Sequence, residues 1–362
     1  MSLSVHALKK RTILILAMLV LLSACGIFLV FKGDAPMSES PAPGQTTGKK
    51  SSLQGATLYA APNGNSAIQA ATWKASRSDD AALMSKLAAL PVAKWLTDDE
   101  SVDTELTEYL AAAQTSNAMP VLVAYAIPLR DCGLYSAGGS QDLVAYQNFI
   151  DTLAEAIGDK RVTVIIEPDA IAAIKTQDCL KGKQLVERYQ ALRYAAERLE
   201  KLPNTNTYLD AGNSAWGPDT KKLAERLKKA GIELTDGFSL NVSNFQTTDT
   251  STAYGQELSS LLGGAHFVID TSRNGAGPYD NPTYPEMGWC NPPGRALGHY
   301  PTTNTGDPLV DAYLYIKAPG ESDGQDPDVK KCHGGPKAGA WWPEYALGLV
   351  KRWPANLQPP TN

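Results

Sequence analysis

The 362-residue chain has little that would support metal chemistry. It has four histidines, His6, His266, His299 and His333, scattered without ligand spacing, and five cysteines whose spacings resemble no zinc site. No metal and no cofactor are expected. No internal repeat is visible. Gly138-Gly139 opens a helical stretch but lacks the lysine and spacing of a phosphate-binding loop. No basic stripe is present and the formal net charge is −5, so nucleic acid is not an expected partner. The apolar and charged fractions, 43% and 20%, are ordinary for a globular protein. The length allows one large domain with little left for a second, and a monomer is expected.

One long apolar run is present near the start. Lys9-Lys10-Arg11 precedes Thr12–Phe31, which is almost wholly apolar. Two readings compete. The run is long enough for a signal-anchor helix with its positive flank inside. Alternatively, Leu22-Ser23-Ala24-Cys25 resembles a lipobox, with Cys25 as the site of lipidation and Thr12–Leu22 as the secretory core; against this, Gly26–Phe31 stays apolar past the cleavage point. Either reading puts the remainder outside the cytoplasm, tethered to a membrane, and residues 1–31 are set aside from fold reasoning. Residues 32–53 are rich in Pro, Ser, Gly and Thr and read as a flexible linker. Residues 54–362 form the expected folded domain. Its cysteines, Cys132, Cys179, Cys290 and Cys332, are even in number and suit an oxidising compartment. Three pairings are possible. Spacing favours Cys132–Cys179 and Cys290–Cys332, since each would tie loops leaving nearby strands.

From about Ala56, strand-like and helix-like segments alternate. Candidate strands are Ala93–Trp95, Pro120–Ala126, Val162–Ile166, Thr207–Asp210, Gly237–Asn241, His266–Asp270 and Ala312–Ile316. Apolar positions at three- and four-residue steps predict helices over Ala81–Leu90, Asp103–Ala113, Gln141–Ile157, Leu185–Glu200, Thr220–Lys229 and Glu257–Leu262. Ser140 and Asp219 are candidate N-caps, and Gly231 a candidate stop. The alternation implies a parallel sheet covered by helices. The expected fold is α/β, a distorted TIM-like barrel of about seven parallel strands with surrounding helices; a doubly wound open sheet is the alternative. Two long irregular stretches, Asn274–Asp307 and Gly320–Pro336, have the length of functional loops.

The strand ends carry the chemistry. Nearly every predicted strand runs into a polar cluster: Arg130-Asp131, Glu167-Pro168-Asp169, Asp210-Ala211-Gly212-Asn213, Asn241-Val242-Ser243-Asn244, Asp270-Thr271-Ser272-Arg273-Asn274 and Lys317 through Asp323. A single aspartate after a strand is usually a cap or turn residue. Six polar clusters at corresponding ends imply a shared cleft, since α/β barrels build their sites there. Asp131 and Asp169 end neighbouring strands and can face each other, as paired carboxylates for acid/base chemistry do.

The motifs themselves resemble a known family. Tyr125-Ala126-Ile127-Pro128-Leu129-Arg130-Asp131-Cys132-Gly133 with Ser136-Ala137-Gly138-Gly139, and Val164-Ile165-Ile166-Glu167-Pro168-Asp169, are similar to the two signatures of glycoside hydrolase family 6 cellulases. Asp210–Trp216, Ile269–Gly275, Trp289–Arg295 and Lys317–Asp323 match further motifs in order, from about Ala56 to the C-terminus. The resemblance implies a distorted barrel of parallel strands and hydrolysis of β-1,4-glucan chains with inversion. It implies Asp169 as general acid, Asp131 as the carboxylate that raises its pKa, and Asp323 as base or helper to a water chain, a role disputed in the family. Inversion requires a wide gap between acid and base. Tyr125 would press on the distorted sugar. Lys317 and Glu321 would bind sugar hydroxyls, Arg273 and Asp210 would order the carboxylates, and Asn241 joins the substrate-binding set. Trp95, Trp216 and Trp289 match sugar-stacking positions.

Other residues receive plainer assignments. Trp73 and Trp353 are assigned to packing, and of Trp341-Trp342 one can pack the C-terminal helix. Glu167 reads as buried and paired, Asp142 and Asp151 as helix-surface charges. The sequon at Asn241 lies inside a strand-end motif, so glycosylation is not expected. A retaining mechanism would need a glutamate nucleophile near the acid, and no strand end offers one. Ser136–Asn148 runs straight into a helix without an insertion, and Gly320–Pro336 is intermediate in length. An open cleft and an endoglucanase are favoured over an exo-acting cellobiohydrolase or a non-catalytic surface glycan-binding protein. No carbohydrate-binding module is visible.

Overall fold

Short apolar runs pair side by side in chain order. In the computed structural model, which describes residues 53–98, 104–175 and 179–360, seven strands form one parallel sheet in the order β1 to β7. They are β1 (Lys94–Leu96), β2 (Val121–Ala124), β3 (Val162–Ile166), β4 (Thr205–Asp210), β5 (Gly237–Leu240), β6 (His266–Asp270) and β7 (Val310–Leu314). The helices are α1 (Asn65–Trp73), α2 (Ser78–Ala88), α3 (Thr104–Thr115), α4 (Leu143–Ile157), α5 (Lys183–Glu200), α6 (Thr220–Ala230), α7 (Thr248–Leu261), α8 (Val329–Cys332) and α9 (Pro343–Lys351). The expected leader, with Cys25, and all but the end of the expected linker lie outside the described residues. Among the described residues no helix is long and apolar enough to cross a membrane.

The strands are short, and most of their residues are buried because both faces are covered. Val121, Val123 and Tyr125 pack with Ile165, Tyr208, Val268 and Leu314 on the concave side, while Leu122, Ala124, Val164, Ile166, Leu209 and Phe238 pack against the helices. This alternation follows the two-residue period of a strand. The sheet curls until β1 approaches β7. The seam is bridged by Ala93 N–H donating to Tyr315 O at 2.9 Å and by the Trp95 indole donating to Ile316 O at 2.8 Å. A third apolar cluster, built from α1, α2 and α9 with Leu297 and Tyr315, covers this side. The barrel is therefore distorted at one place, and the strands' carboxyl ends converge on one rim.

Helix ends follow local chemistry. Asp219 caps α6 by accepting from Lys222 N at 3.0 Å, and Gly231 ends it at φ +92°. The cap of α4 is Asp142, not Ser140: Asp142 Oδ1 accepts from Ala145 N at 2.9 Å, while Ser140 is buried with its N–H on Ala126 O. Asp151 is likewise engaged, accepting from Arg198 at 2.7 Å and the Tyr194 hydroxyl at 2.8 Å. Both expected disulfides are present, Cys132–Cys179 and Cys290–Cys332.

Candidate active site

β2 delivers Asp131. Beyond Ala124, Tyr125 packs edge-on against Trp95 with ring centroids 5.0 Å apart, and the Arg130 guanidinium lies 4.5 Å over the Tyr125 ring. Arg130 donates to the Tyr125 carbonyl and, at 2.9 Å, to the Ser136 carbonyl, folding the segment back on itself. That fold needs glycine at 138, where a Cβ would stand 2.4 Å from the guanidinium. Ser136 N–H then meets Asp131 Oδ2 at 2.8 Å. Asp131 and Cys132 hold φ of +54° and +48°, and the Cys132–Cys179 bridge pins the loop. Burial raises the Asp131 carboxyl above its usual range, against the pull of Ser136 N–H and Arg130.

β3 delivers Asp169 on an equally unusual backbone, with φ +51° at Glu167 and +71° at Asp169. Such values in non-glycine residues cluster where surrounding structure over-determines the chain. Asp169 is half-buried, and its N–H donates to Asp210 Oδ1 at 3.0 Å. Its carboxyl is raised well above the usual carboxylate range. Burial is the main cause, followed by the negative charges of Asp210 and Asp131, with Lys317 opposing. Asp210, at the end of β4, is buried and also raised by burial, but it accepts from Asp169 N–H, Gly212 N–H (3.0 Å) and Ser239 Oγ (3.2 Å). Those donors assign the charge of the pair to Asp210 and the proton to Asp169.

Across the cleft, the ends of β5, β6 and β7 are sewn together by Asp270. It accepts from Ser243, Ser272 and Lys317 amides at 3.0, 2.9 and 2.9 Å and from Ile316 N–H at 3.3 Å. Arg273 is 0% exposed and makes an ion pair with Asp323 at 2.9 Å, beside Phe245. Asn291 reinforces that carboxylate: its N–H donates to Asp323 Oδ2 at 3.0 Å, and its Oδ1 accepts from Asp323 N–H at 2.7 Å. The Lys317 ammonium lies 3.6 Å from Glu321 and 5.8 Å over Trp95. Burial raises Glu321, with Lys317 opposing.

Tyr125, Asp131 and Asp169 thus line one recess, together with Arg130 and Pro168. Trp95 in β1, Trp216 after β4 and Trp289 in the loop between β6 and β7 are all half-buried. Trp289 packs edge-on against Tyr135, centroids 5.8 Å apart, and the Tyr135 hydroxyl donates to Asp326 at 2.7 Å. Three expected substrate contacts sit deeper. Asp210, Asn241 and Arg273 are buried below the rim, where a sugar cannot reach. Asn241 spends its amide on Gln246 O, Asp270 O and Gln246 N–H, and so shapes its loop. Trp73 and Trp353 are buried packing residues, and Trp342 stacks on Tyr345 of α9.

Sequence reasoning left Asp270, Asn291 and Tyr135 without roles. Asp270 and Asn291 stand inside matched motifs, which was the available signal. Their partners come from loops far along the chain. Among the described residues no cluster of three or more His, Cys, Asp or Glu is arranged to hold a metal ion.

The family model "Glycosyl hydrolases family 6" matches residues 53–353. Endoglucanase A of Cellulomonas fimi is 42% identical over 287 residues, covering 78% of this chain and 59% of that protein. Endoglucanase A of Thermobispora bispora is 36% identical over 314 residues, covering 84% and 63% respectively. The chain therefore spans less than two thirds of the length of either relative. Among solved structures, the endoglucanase Cel6 of Mycobacterium tuberculosis, in complex with a methyl-cellobiosyl-4-deoxy-4-thio-β-D-cellobioside, is 41% identical with a TM-score of 0.75. That match covers 83% of this chain and 98% of that one.

Proposed function

The chain belongs to glycosyl hydrolase family 6, and from that premise we propose that it cleaves internal β-1,4-glucosidic bonds of β-glucan chains with inversion. The observation that carries the reading is the placement of Asp169 in one recess with Tyr125 and Asp131 and on the Asp210 carboxylate, where burial and the two neighbouring carboxylates raise its carboxyl. A proton held at neutral pH is what the leaving oxygen needs. Asp323 is held in place by Arg273 and Asn291, a fixed position from which it would orient the attacking water. Asp131 supplies the second carboxylate on the acid's side. Trp95, Trp216 and Trp289 would stack on glucose faces, with Tyr125 beneath the distorted ring and Lys317 and Glu321 on hydroxyls.

The endo mode is supported by the short segment between Asp131 and α4, which adds no roof to the cleft, and by the endoglucanase names of the relatives above. Rapid viscosity loss on carboxymethyl cellulose relative to reducing ends released is the expected result. A slow viscosity drop with mostly cellobiose released would mean chain-end attack. Proton NMR of the first product should show the α-anomer.

The two disulfides and the apolar tract Thr12–Phe31 support an extracytoplasmic protein tethered by a signal anchor or by lipid on Cys25. Soluble glucans near the cell surface are then its natural substrates. Retention in membrane fractions, lost on deleting residues 1–31, tests the tether.

A further inference from the structure

Glu167 lies two residues before Asp169, and the chemistry above does not use it. Its side chain is 0% exposed. Its two carboxylate oxygens accept from the neighbouring strand end, Ala126 N–H at 3.0 Å and Ile127 N–H at 3.1 Å. Its own N–H donates to Ala124 O at 2.9 Å. Those acceptor and donor groups begin the segment that carries Arg130 and Asp131. From α5, buried Arg188 spans the same interval: it donates to the Pro128 and Leu129 carbonyls at 2.9 and 3.1 Å and to the Ala170 carbonyl, just past Asp169, at 3.5 Å. The buried Tyr146 phenol of α4 stands beside the carboxyl, and burial raises Glu167 to about 7 despite the two amides.

A carboxylate this deep is costly unless it is paired and fully hydrogen-bonded. An apolar side chain could fill the space but could not accept two amides on two oxygens, which sets the spacing of two loops at once. We propose that Glu167 is a positioning residue: with Arg188 it locks the Asp131 loop to the Asp169 loop, and so fixes the acid against the Asp131 side of the recess. The proposal rests on the reading of Asp169 as general acid.

Glu167→Gln keeps the volume but turns one acceptor into an amide NH2 donor facing an N–H. Two substrates separate its possible effects: cellohexaose, whose leaving sugar needs a proton, and 2,4-dinitrophenyl β-cellotrioside, whose leaving group does not. Loss of acid alignment should lower kcat on cellohexaose by about 10²-fold, leave KM in place, and change turnover of the dinitrophenyl substrate little. Equal losses on both substrates, or no loss on either, would overturn the proposal. If Glu167→Gln does not fold, Arg188→Lys carries the same test, since it keeps a charge but not the three-carbonyl fork, and the same outcomes decide. Asp169→Asn is the control. Absence of leaving-group dependence there, or a wild type inert on cellohexaose, sinks the underlying reading instead.

Discussion

Beyond β2 and β3, Asp131 and Asp169 are half-buried; at the end of β6 and in the segment after β7, Asp270 and Asp323 lie deeper and meet four amides in one case and a guanidinium with an amide in the other. No hydrogen bond among the described residues offsets the desolvation of the Asp169 carboxyl. The chemical group is the same on both sides. At Asp270 four amides oppose desolvation without cancelling it, whereas at Asp169 neighbouring carboxylates add to it, which makes Asp169 the proton store and leaves Asp270 and Asp323 as scaffold.

The sharpest way to break this comparison is Asp169→Asn. Loss of the acid should reduce kcat on cellohexaose by about 10²–10⁴-fold. A stability signature accompanies it. The folded-state pKa of Asp169 is raised, so the stability tied to its proton is complete below the ordinary carboxylate pKa and is lost as pH rises through the raised value. Asparagine removes that loss, and the melting temperature of the variant minus that of the wild type should grow with pH. A difference that stays flat with pH would show that Asp169 is not the proton store. Wild-type activity should fall as pH rises through the raised value, where the folded enzyme loses that proton.

The scaffold side should break differently. Arg273→Met leaves the Asp323 carboxylate buried without its cation, at a cost of about 3–5 kcal/mol in urea unfolding. Adding Asp323→Leu should recover much of it, because breaking a buried pair costs more than removing it whole. Asp131→Asn, on the acid side, should cost less than about 1.5 kcal/mol, since asparagine keeps an oxygen that can accept from Ser136 N–H and relieves the desolvation of a buried charge. Similar losses for Arg273→Met and Asp131→Asn would erase the distinction between the two sides.

The same distinction governs how much could be read before the structure. All seven strands were legible as short runs, most of them rich in apolar or β-branched residues, and the polar clusters holding Asp131, Asp169 and Asp323 were legible as breaks that follow them. β7 lies two residues earlier than expected: Tyr315 and Ile316 look strand-like but face the β1 seam, where Ala93 and the Trp95 indole replace a ladder. α7 begins nine residues earlier than the predicted Glu257, because its first turns are Thr, Ser and Asp and rest on the Thr247 cap. α1 escaped notice because just two of its residues, Ala70 and Trp73, are buried, too few for a periodic face. The scaffold around Asp270 and Asn291 was illegible for another reason. A buried polar hub is defined by partners from several loops, and no local pattern announces them.

The smallest expected effect concerns the rim, which both sides share. Trp216 follows β4, is half-buried, and pairs with Asn213 in an isolated bridge, so its backbone is held while part of its ring stays open. Trp95 is different: its indole N–H closes the seam on Ile316 O and its ring supports Tyr125. Trp216→Ala should therefore act through substrate contact, raising KM for cellohexaose by roughly 3- to 10-fold, as loss of about 0.5–1.5 kcal/mol of stacking would, with kcat and melting temperature nearly unchanged. Trp95→Ala should lower kcat and melting temperature together, because it opens the barrel beside the reacting sugar. If the two substitutions behave alike, Trp216 is part of the scaffold and the rim carries less of the binding than its open ring face implies.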